Sequence, residues 1–242
     1  MFGFGTSLAS IYDYIYLWKD YRKEAHIVTK NLRDLECAEG VLLELACGTG
    51  RHLEYFSNYE MTGVDLCEES LMLASFRAPQ ASFLRRDMRH VHPLISDKVD
   101  VLLMLFGAVS YISPQDLVVF FKSCAELMTD RSVLVLEPWY EDVQEGGFLQ
   151  VYDSKELKIC RLSDIQRASR QTIMDFSFVI SRAGHKVERL RSRECLWNHV
   201  HEDLLIQLEL AGLQCVRKVE GFTGMEGMWF LRKCTVSSMS RA

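Results

Sequence analysis

No stretch of this 242-residue chain approaches the roughly 18 consecutive apolar residues that a membrane-spanning helix needs. The N-terminus also lacks a basic region followed by an apolar one. The expectation is a soluble, cytoplasmic protein with no membrane partner. Positive charge is not in excess either: 28 Lys and Arg stand against 33 Asp and Glu, a net charge of −5. A nucleic-acid partner is not expected, because binding to a polyanion normally shows as a concentrated basic surface. The eight cysteines, at positions 37, 47, 67, 124, 160, 195, 215 and 234, form no CxxC pair and no ligand spacing with histidine. They read as small core residues in a reducing compartment, and no metal is called for. Internal repeats, low-complexity tracts and linkers are missing too. With 48% hydrophobic residues the chain can bury a full core, and residues 1–242 read as a single α/β domain.

What is present begins with residues 41–50 (VLLELACGTG), an apolar strand carrying one acid and ending in a glycine turn. Gly48 and Gly50 can adopt positive φ and leave no Cβ between the backbone and a bound molecule. Glu44 within an apolar strand is expensive to bury without a partner, so it reads as facing a ligand. About twenty residues later Asp65 ends the next apolar run, the position from which a carboxylate accepts two hydrogen bonds from a ribose diol. A third acid, Asp87, follows residues 81–85, and residues 99–106 supply a further strand. The third glycine of the dinucleotide fingerprint is missing, since Leu53 occupies that position. A dinucleotide is therefore the less favoured ligand.

Strands and helices alternate through 51–57, 61–65, 68–77, 81–85, 99–105, 115–128 and 132–137, with Ser113 and Pro114 placed to start the helix at 115–128. Ahead of them, residues 11–35 carry helical apolar spacing and read as one or two aromatic-rich helices. After Glu137 the pattern changes to strand-like alternation at 151–161, 172–180 and 186–197, an antiparallel insertion that would roof the carboxyl ends of the parallel strands. A helix at 201–211, ended by Gly212, and strands at 214–219 and 227–232, with Gly221 and Gly224 in their turn, complete the core. Residues 237–242 read as a frayed tail.

The run from Glu44 to His52, the GVDL at 63–66 and the acid followed by methionine at Asp87 and Met88 resemble the first three motifs of the class I S-adenosylmethionine-dependent methyltransferases. The resemblance implies a Rossmann-like sheet, mostly parallel with its last strand antiparallel, and S-adenosyl-L-methionine as cofactor. It divides the chain into an N-terminal helical lid (1–36), a core (37–137 and 199–234) and an antiparallel β insertion (138–198). It implies cofactor contacts from Glu44, Ala46, Gly48, Gly50, Asp65, Leu66, Asp87, Met88, Leu105 and Phe106, with Glu44 toward the methionine amino group. The segment from Tyr12 to Tyr21 is similar to the lid of small-molecule N-methyltransferases, which assigns Tyr14 and Tyr21 to the cofactor. Cys67 departs from that family, in which Ser or Thr more often caps the next helix.

An amine acceptor must arrive neutral, so a nearby His, Tyr or carboxylate could take or relay its proton. Tyr14, Glu137 and His199 are the candidates, Glu137 because it ends a central strand of a doubly wound sheet. Trp139 and Tyr140 could wall the acceptor pocket. The basic cluster 161–170 reads either as a solvated face or as a phosphate site using Arg167 and Arg170. Residues 137–139 (EPW) with the tyrosine pattern look closest to N-methyltransferases of nucleotide-linked amino sugars, which implies a small-molecule acceptor, an N,N-dimethylated product and a possible homodimer. The alternatives are O- or C-methylation of another metabolite and a non-catalytic cofactor-binding protein.

Overall fold

The computed structural model describes residues 6–90, 98–139, 143–220 and 227–234. Two helices come first, α1 (Thr6–Ile15) and α2 (Tyr21–Asp34). The second starts where the Asp20 carboxylate accepts from the Lys23 N–H at 2.9 Å, satisfying a donor that the first helical turn would otherwise leave orphaned. Its Ala25, Val28 and Leu32 turn to the core.

Five parallel strands follow: β1 (Gly40–Leu45), β2 (Tyr59–Asp65), β3 (Ser82–Arg85), β4 (Val99–Met104) and β5 (Met128–Leu136). With β10 (Leu213–Glu220) and β11 (Gly227–Lys233) they form a seven-stranded sheet in the order β10-β11-β5-β4-β1-β2-β3. The last strand, β11, runs antiparallel to both of its neighbours, as expected. Because the central strands are covered on both faces, they read as continuous apolar runs. Leu43, Leu45, Leu102 and Met104 pack toward α4 (Leu117–Leu127) and α5 (His201–Leu210), whereas Leu42, Val101 and Leu103 pack toward α2. Among the described residues no helix is long and apolar enough to cross a membrane.

Between β5 and α5 lies a separate four-stranded antiparallel sheet of β6 (Gly146–Asp153), β7 (Leu157–Ala168), β8 (Gln171–Arg182) and β9 (Glu188–Trp197). Its inner face packs Ile159, Phe178 and Ile180 against Leu8, Ile11 and Ile15 of α1.

The structure corrects three local expectations. The alternation at 151–161 spans two strands, because Ser154 makes a tight turn: its hydroxyl accepts from the Leu157 N–H at 3.0 Å and its N–H donates to the Leu157 carbonyl at 3.0 Å. The helix expected at 51–57 is one 3-10 turn at Leu53–Tyr55, since His52 and Leu53 are both drawn into the core. Ser113 does not cap α4; its hydroxyl donates to Asp116 Oδ2 at 2.7 Å in a turn, and the helix begins after Asp116. The glycines at 221 and 224 and the tail at 237–242 lie outside the described residues.

A chain of buried charges fastens the N-terminal helices to the parallel sheet. Lys19, between α1 and α2, bonds Glu24 of α2. His52 Nε2 donates to Glu24 Oε2 at 2.9 Å, and its Nδ1 donates to Glu44 Oε1 of β1 at 3.1 Å. Lys19 Nζ also stands 4.0 Å from Glu137 Oε2, after β5. All five side chains are buried. Burial alone would lower the His52 pKa, but its bonds to Glu24 and Glu44 outweigh that and raise it to about 9. Burial would raise Glu24; its bonds to His52 and Lys19 instead bring it down to about 2.

A histidine whose folded pKa lies above its ordinary 6.5 stabilises the fold fully below pH 6.5 and ceases to do so as pH rises through about 9, a contribution on the order of 3 kcal/mol. Urea denaturation should therefore give a midpoint that falls between pH 6.5 and 9. The H52Q variant should be less stable by roughly 3–5 kcal/mol, the cost of leaving buried partners uncompensated, and should lack that alkaline slope. An equal slope in both proteins would remove His52 from this role.

Candidate active site

A cavity of about 210 Å³ lies at the carboxyl ends of the parallel strands, beneath the inserted sheet. Its floor comes from the turns that end the strands: Ala46, Gly48 and Thr49 after β1, Asp65 and Leu66 at β2, Asp87 and Met88 after β3, and Leu105 and Phe106 after β4. Met174 and Phe176 of β8 and Glu194 and Leu196 of β9 form its roof, with Tyr12, Tyr16, Tyr111 and Trp139 between.

Two floor residues other than glycine have left-handed backbones, Ala46 (φ 55) and Phe106 (φ 53). Such conformations cost on the order of 1–3 kcal/mol each and persist where the surroundings impose them. At Phe106 the imposing groups are visible. Its N–H donates to Glu137 Oε2 at 2.5 Å, and Lys19 Nζ sits 4.4 Å from its ring centroid. Burial raises the Glu137 pKa and nearby Lys19 opposes that.

Asp65 is fixed by the turn it faces. Oδ2 accepts from the Gly48 N–H and Oδ1 from the Cys67 N–H, both at 2.8 Å, leaving one lone pair on each oxygen for a diol. Burial raises its pKa, and these backbone bonds oppose the rise. Cys67 starts α3 (Glu68–Arg77) without a side-chain cap; its N–H bond to Asp65 stabilises that junction instead. Asp87 is paired with Arg89 at 2.9 and 3.1 Å, and the bond to Arg89 chiefly lowers its pKa.

The two glycines of the turn have different jobs. At Gly48 (φ +53) a Cβ would meet no protein atom within 4 Å, whereas at Gly50 (φ +72) it would come 2.8 Å from Ala74 Cβ. Gly48 thus leaves room on the cavity side, and Gly50 lets the turn seat on α3.

Of the residues expected to hold the cofactor, Ala46, Gly48, Asp65, Leu66, Asp87, Met88, Leu105 and Phe106 line this cavity. Glu44, Gly50, Tyr14 and Tyr21 do not. Glu44 pairs with His52, its Oε2 being buried with no partner among the described residues. Tyr14 is 38% exposed and stacks on Tyr152 with centroids 4.9 Å apart, while Tyr21 is buried edge-on against His52 at 5.0 Å. Tyr12 and Tyr16 line it instead; four residues apart, they share a face, with centroids 4.7 Å apart.

Glu137 does not line the cavity; its Oε2 accepts from the Phe106 N–H. His199 lies outside the cavity lining and is buried, its Nε2 donating to the Val109 carbonyl at 3.3 Å, and burial lowers its pKa. Trp139 lines the cavity, its carbonyl accepting from His201 Nε2 at 3.1 Å. Tyr140 lies outside the described residues. Arg167 and Arg170 are exposed near the β7–β8 turn and outside the cavity lining, which fits a solvated face.

The roof residues Met174, Phe176, Glu194 and Leu196 were not foreseen. Glu194 had a signal: Leu190, Ser192, Glu194 and Leu196 alternate, so a strand that turned its leucines inward would turn that one acid inward with them.

Residues 42–131 match the methyltransferase domain family. The dTDP-3-amino-3,4,6-trideoxy-α-D-glucopyranose N,N-dimethyltransferase of Streptomyces venezuelae is 30% identical over 187 residues, covering 74% of this chain and 78% of that protein. The dTDP-3-amino-3,6-dideoxy-α-D-glucopyranose N,N-dimethyltransferase of Streptomyces fradiae is 27% identical over 142 residues, covering 57% of this chain and 55% of that protein. Among solved structures, Streptomyces venezuelae DesVI superposes with a TM-score of 0.82 at 27% identity, covering 94% of this chain and 98% of that one.

Substituting the two glycines should separate binding from folding. Gly48→Ala should cost stability by about 1–2 kcal/mol through its left-handed backbone and weaken S-adenosylhomocysteine binding tenfold or more in calorimetric titration. Gly50→Ala, with the Ala74 clash added, should lose more stability than Gly48→Ala in urea denaturation. Unaltered affinity in Gly48→Ala would remove that glycine from the binding surface.

Proposed function

The chain belongs to the class I S-adenosylmethionine-dependent methyltransferases, and from that premise we propose that it N,N-dimethylates the amino group of a nucleotide-linked amino sugar. The observation that carries this reading is the continuity of the cavity, which runs from Gly48 and Asp65 on the parallel sheet to Glu194 and Leu196 under the inserted one. One end suits a nucleoside and the other leaves room for an acceptor. The names of the Streptomyces relatives supply the acceptor class.

S-adenosylmethionine is the cofactor, and when bound it supplies an electrophilic methyl on a sulfonium. The residues fit it: a glycine cradle that a Cβ would fill, and a half-buried carboxylate with free lone pairs across from it. Asp65 would receive the ribose hydroxyls, Asp87 and Met88 the adenine, and the backbone around Ala46, Leu105 and Phe106 the methionyl part. Phe106, Tyr16 and Trp139 form an aromatic wall, with Tyr16 and Phe106 centroids 5.2 Å apart. This wall excludes water and holds the acceptor in line, and orientation of that kind can supply about 7–11 kcal/mol of a barrier.

Residues 1–36 act as a lid on this reading, with Asp13 joining α1 to Thr49 Oγ1 at 2.7 Å. Cytoplasmic residence is part of the proposal and is supported by eight cysteines that form no disulfide. We also propose a homodimer. The outer face of the inserted sheet exposes Leu149, Val151, Leu162 and Val179, brought together by the pairings Leu149 with Leu162 and Cys160 with both Val151 and Val179. A contiguous apolar patch of this sort marks an interaction surface.

Incubation with S-adenosylmethionine and the dTDP-amino sugars named by the two Streptomyces relatives should yield mono- and dimethylated sugar by mass spectrometry, with matching S-adenosylhomocysteine. Transfer only to hydroxyl acceptors would favour O-methylation, and tight cofactor binding without any transfer would favour a binding protein. Light scattering should give twice the chain mass, reduced to one by Leu162→Asp; a monomeric wild type would remove the dimer.

A further inference from the structure

The roof presents an apolar surface to the cavity with one exception. Met174, Phe176 and Leu196 face it from β8 and β9, and among them stands Glu194, in register with Met174. Glu194 is only 6% exposed. Its Oε2 accepts from the Tyr111 hydroxyl at 3.3 Å, while its Oε1 is buried with no hydrogen-bond partner among the described residues. A carboxylate so placed is costly unless a ligand completes it.

An amino sugar reaches the site as an ammonium ion, and only its neutral form carries the lone pair that attacks a methyl. Between Met174, Phe176 and Leu196 that ammonium would be an unpaired charge. We infer that Glu194 is the catalytic residue that receives the acceptor's ammonium on Oε1 and takes one of its protons, with Tyr111 as the positioning residue that holds Oε2. The inference rests on the amine-acceptor reading above.

The step balances. One N–H bond breaks, its proton going to Glu194 and its electron pair staying on nitrogen. That pair forms the new N–C bond as the S–C bond breaks and returns its own pair to sulfur, so the positive charge moves from sulfur to nitrogen. Glu194 returns its proton to water when product leaves and is ready for the second methylation.

The surroundings of Glu194 suit this exchange. Burial raises its pKa to about 7 against the opposing Tyr111 bond, near the acidity at which a group both accepts and releases protons at neutral pH. The phenols of Tyr16 and Tyr111 stay protonated, since burial raises both pKa values. The Arg161 guanidinium from β7 lies 5.6 Å from the Tyr16 ring and 5.5 Å from the Phe176 ring. Asp175 and Arg193, the neighbouring residues on β8 and β9, pair with each other at 2.7 Å on exposed surface.

The test compares wild type with Glu194→Gln and Tyr111→Phe, each saturated with S-adenosylhomocysteine. Each is titrated with dTDP-3-amino-3,6-dideoxy-α-D-glucopyranose and with the same sugar bearing a hydroxyl at C3. Wild type should prefer the amine about tenfold or more; Glu194→Gln should lose the preference while its S-adenosylhomocysteine affinity stays within about twofold. In turnover, Glu194→Gln should be slower by about 100-fold or more and lack the acid limb of kcat/KM near pH 7. Tyr111→Phe should move that limb to higher pH, because the lost hydrogen bond had favoured the carboxylate. If wild type methylates an amine and Glu194→Gln keeps both its preference and its pH profile, the assignment of Glu194 is overturned alone. If wild type methylates no amine, the reading of the acceptor is overturned and the assignment falls with it.

Discussion

The run of buried charges from Glu137 through Lys19, Glu24 and His52 to Glu44 is the constraint on which the site's shape depends. Ion pairs of this kind add little net stability over apolar packing, because each charge must first be stripped of water. They do add geometry. Both ring nitrogens of His52 donate to carboxylates, so the imidazolium is held in one orientation, and His52 in turn holds the chain that follows the glycine turn. At the other end Glu137 accepts from the Phe106 N–H while Lys19 covers the Phe106 ring. An unfavourable backbone conformation on the cavity floor thereby supplies a buried acid with a donor. The N-terminal helices, the glycine turn after β1 and the floor beyond β4 are thus fastened by one set of contacts.

That arrangement explains where the sequence could be read and where it could not. The parallel strands were legible because apolar runs and the acids that end them recur at βαβ spacing, and Asp65 and Asp87 fall on the cavity as their positions require. Glu44 shows the limit. An acid in an apolar strand needs a partner, and one of its oxygens finds it in His52, eight residues on and carried back only when the turn folds, while Oε2 is left without one among the described residues. Glu137 is similar: a strand end placed it near the site, yet its oxygen is committed to a backbone N–H. Which tyrosines line the cavity turns on helical phase. Tyr14 lies two residues from Tyr12 and Tyr16, which puts it on another face of α1, against Tyr152.

The inserted sheet was legible as alternation and illegible as contacts. Period-two patterning gave strands but could not say which face met the cavity, because both faces carry apolar residues. Leu149, Val151, Leu162 and Val179 look outward and Phe176, Phe178 and Ile180 inward, and only packing against α1 decides between them.

Two acids, the half-buried Asp65 and the buried Glu194, stand in opposite walls of the same cavity, and their partners set their chemistry. Asp65 accepts two backbone N–H bonds from the turn it must stay against. Those donors are fixed dipoles that cannot accept a proton, and they favour the ionised form, which is what the proposed pair of bonds to ribose hydroxyls asks of Asp65. Glu194 has a single long bond to a phenol and an oxygen left over. With so little holding its charge, its proton affinity responds to whatever cation arrives beside it. The floor is therefore built to hold and the roof to exchange, a division that follows from the strands each wall is made of: turns at parallel strand ends offer backbone donors, whereas the face of an antiparallel strand offers side chains alone.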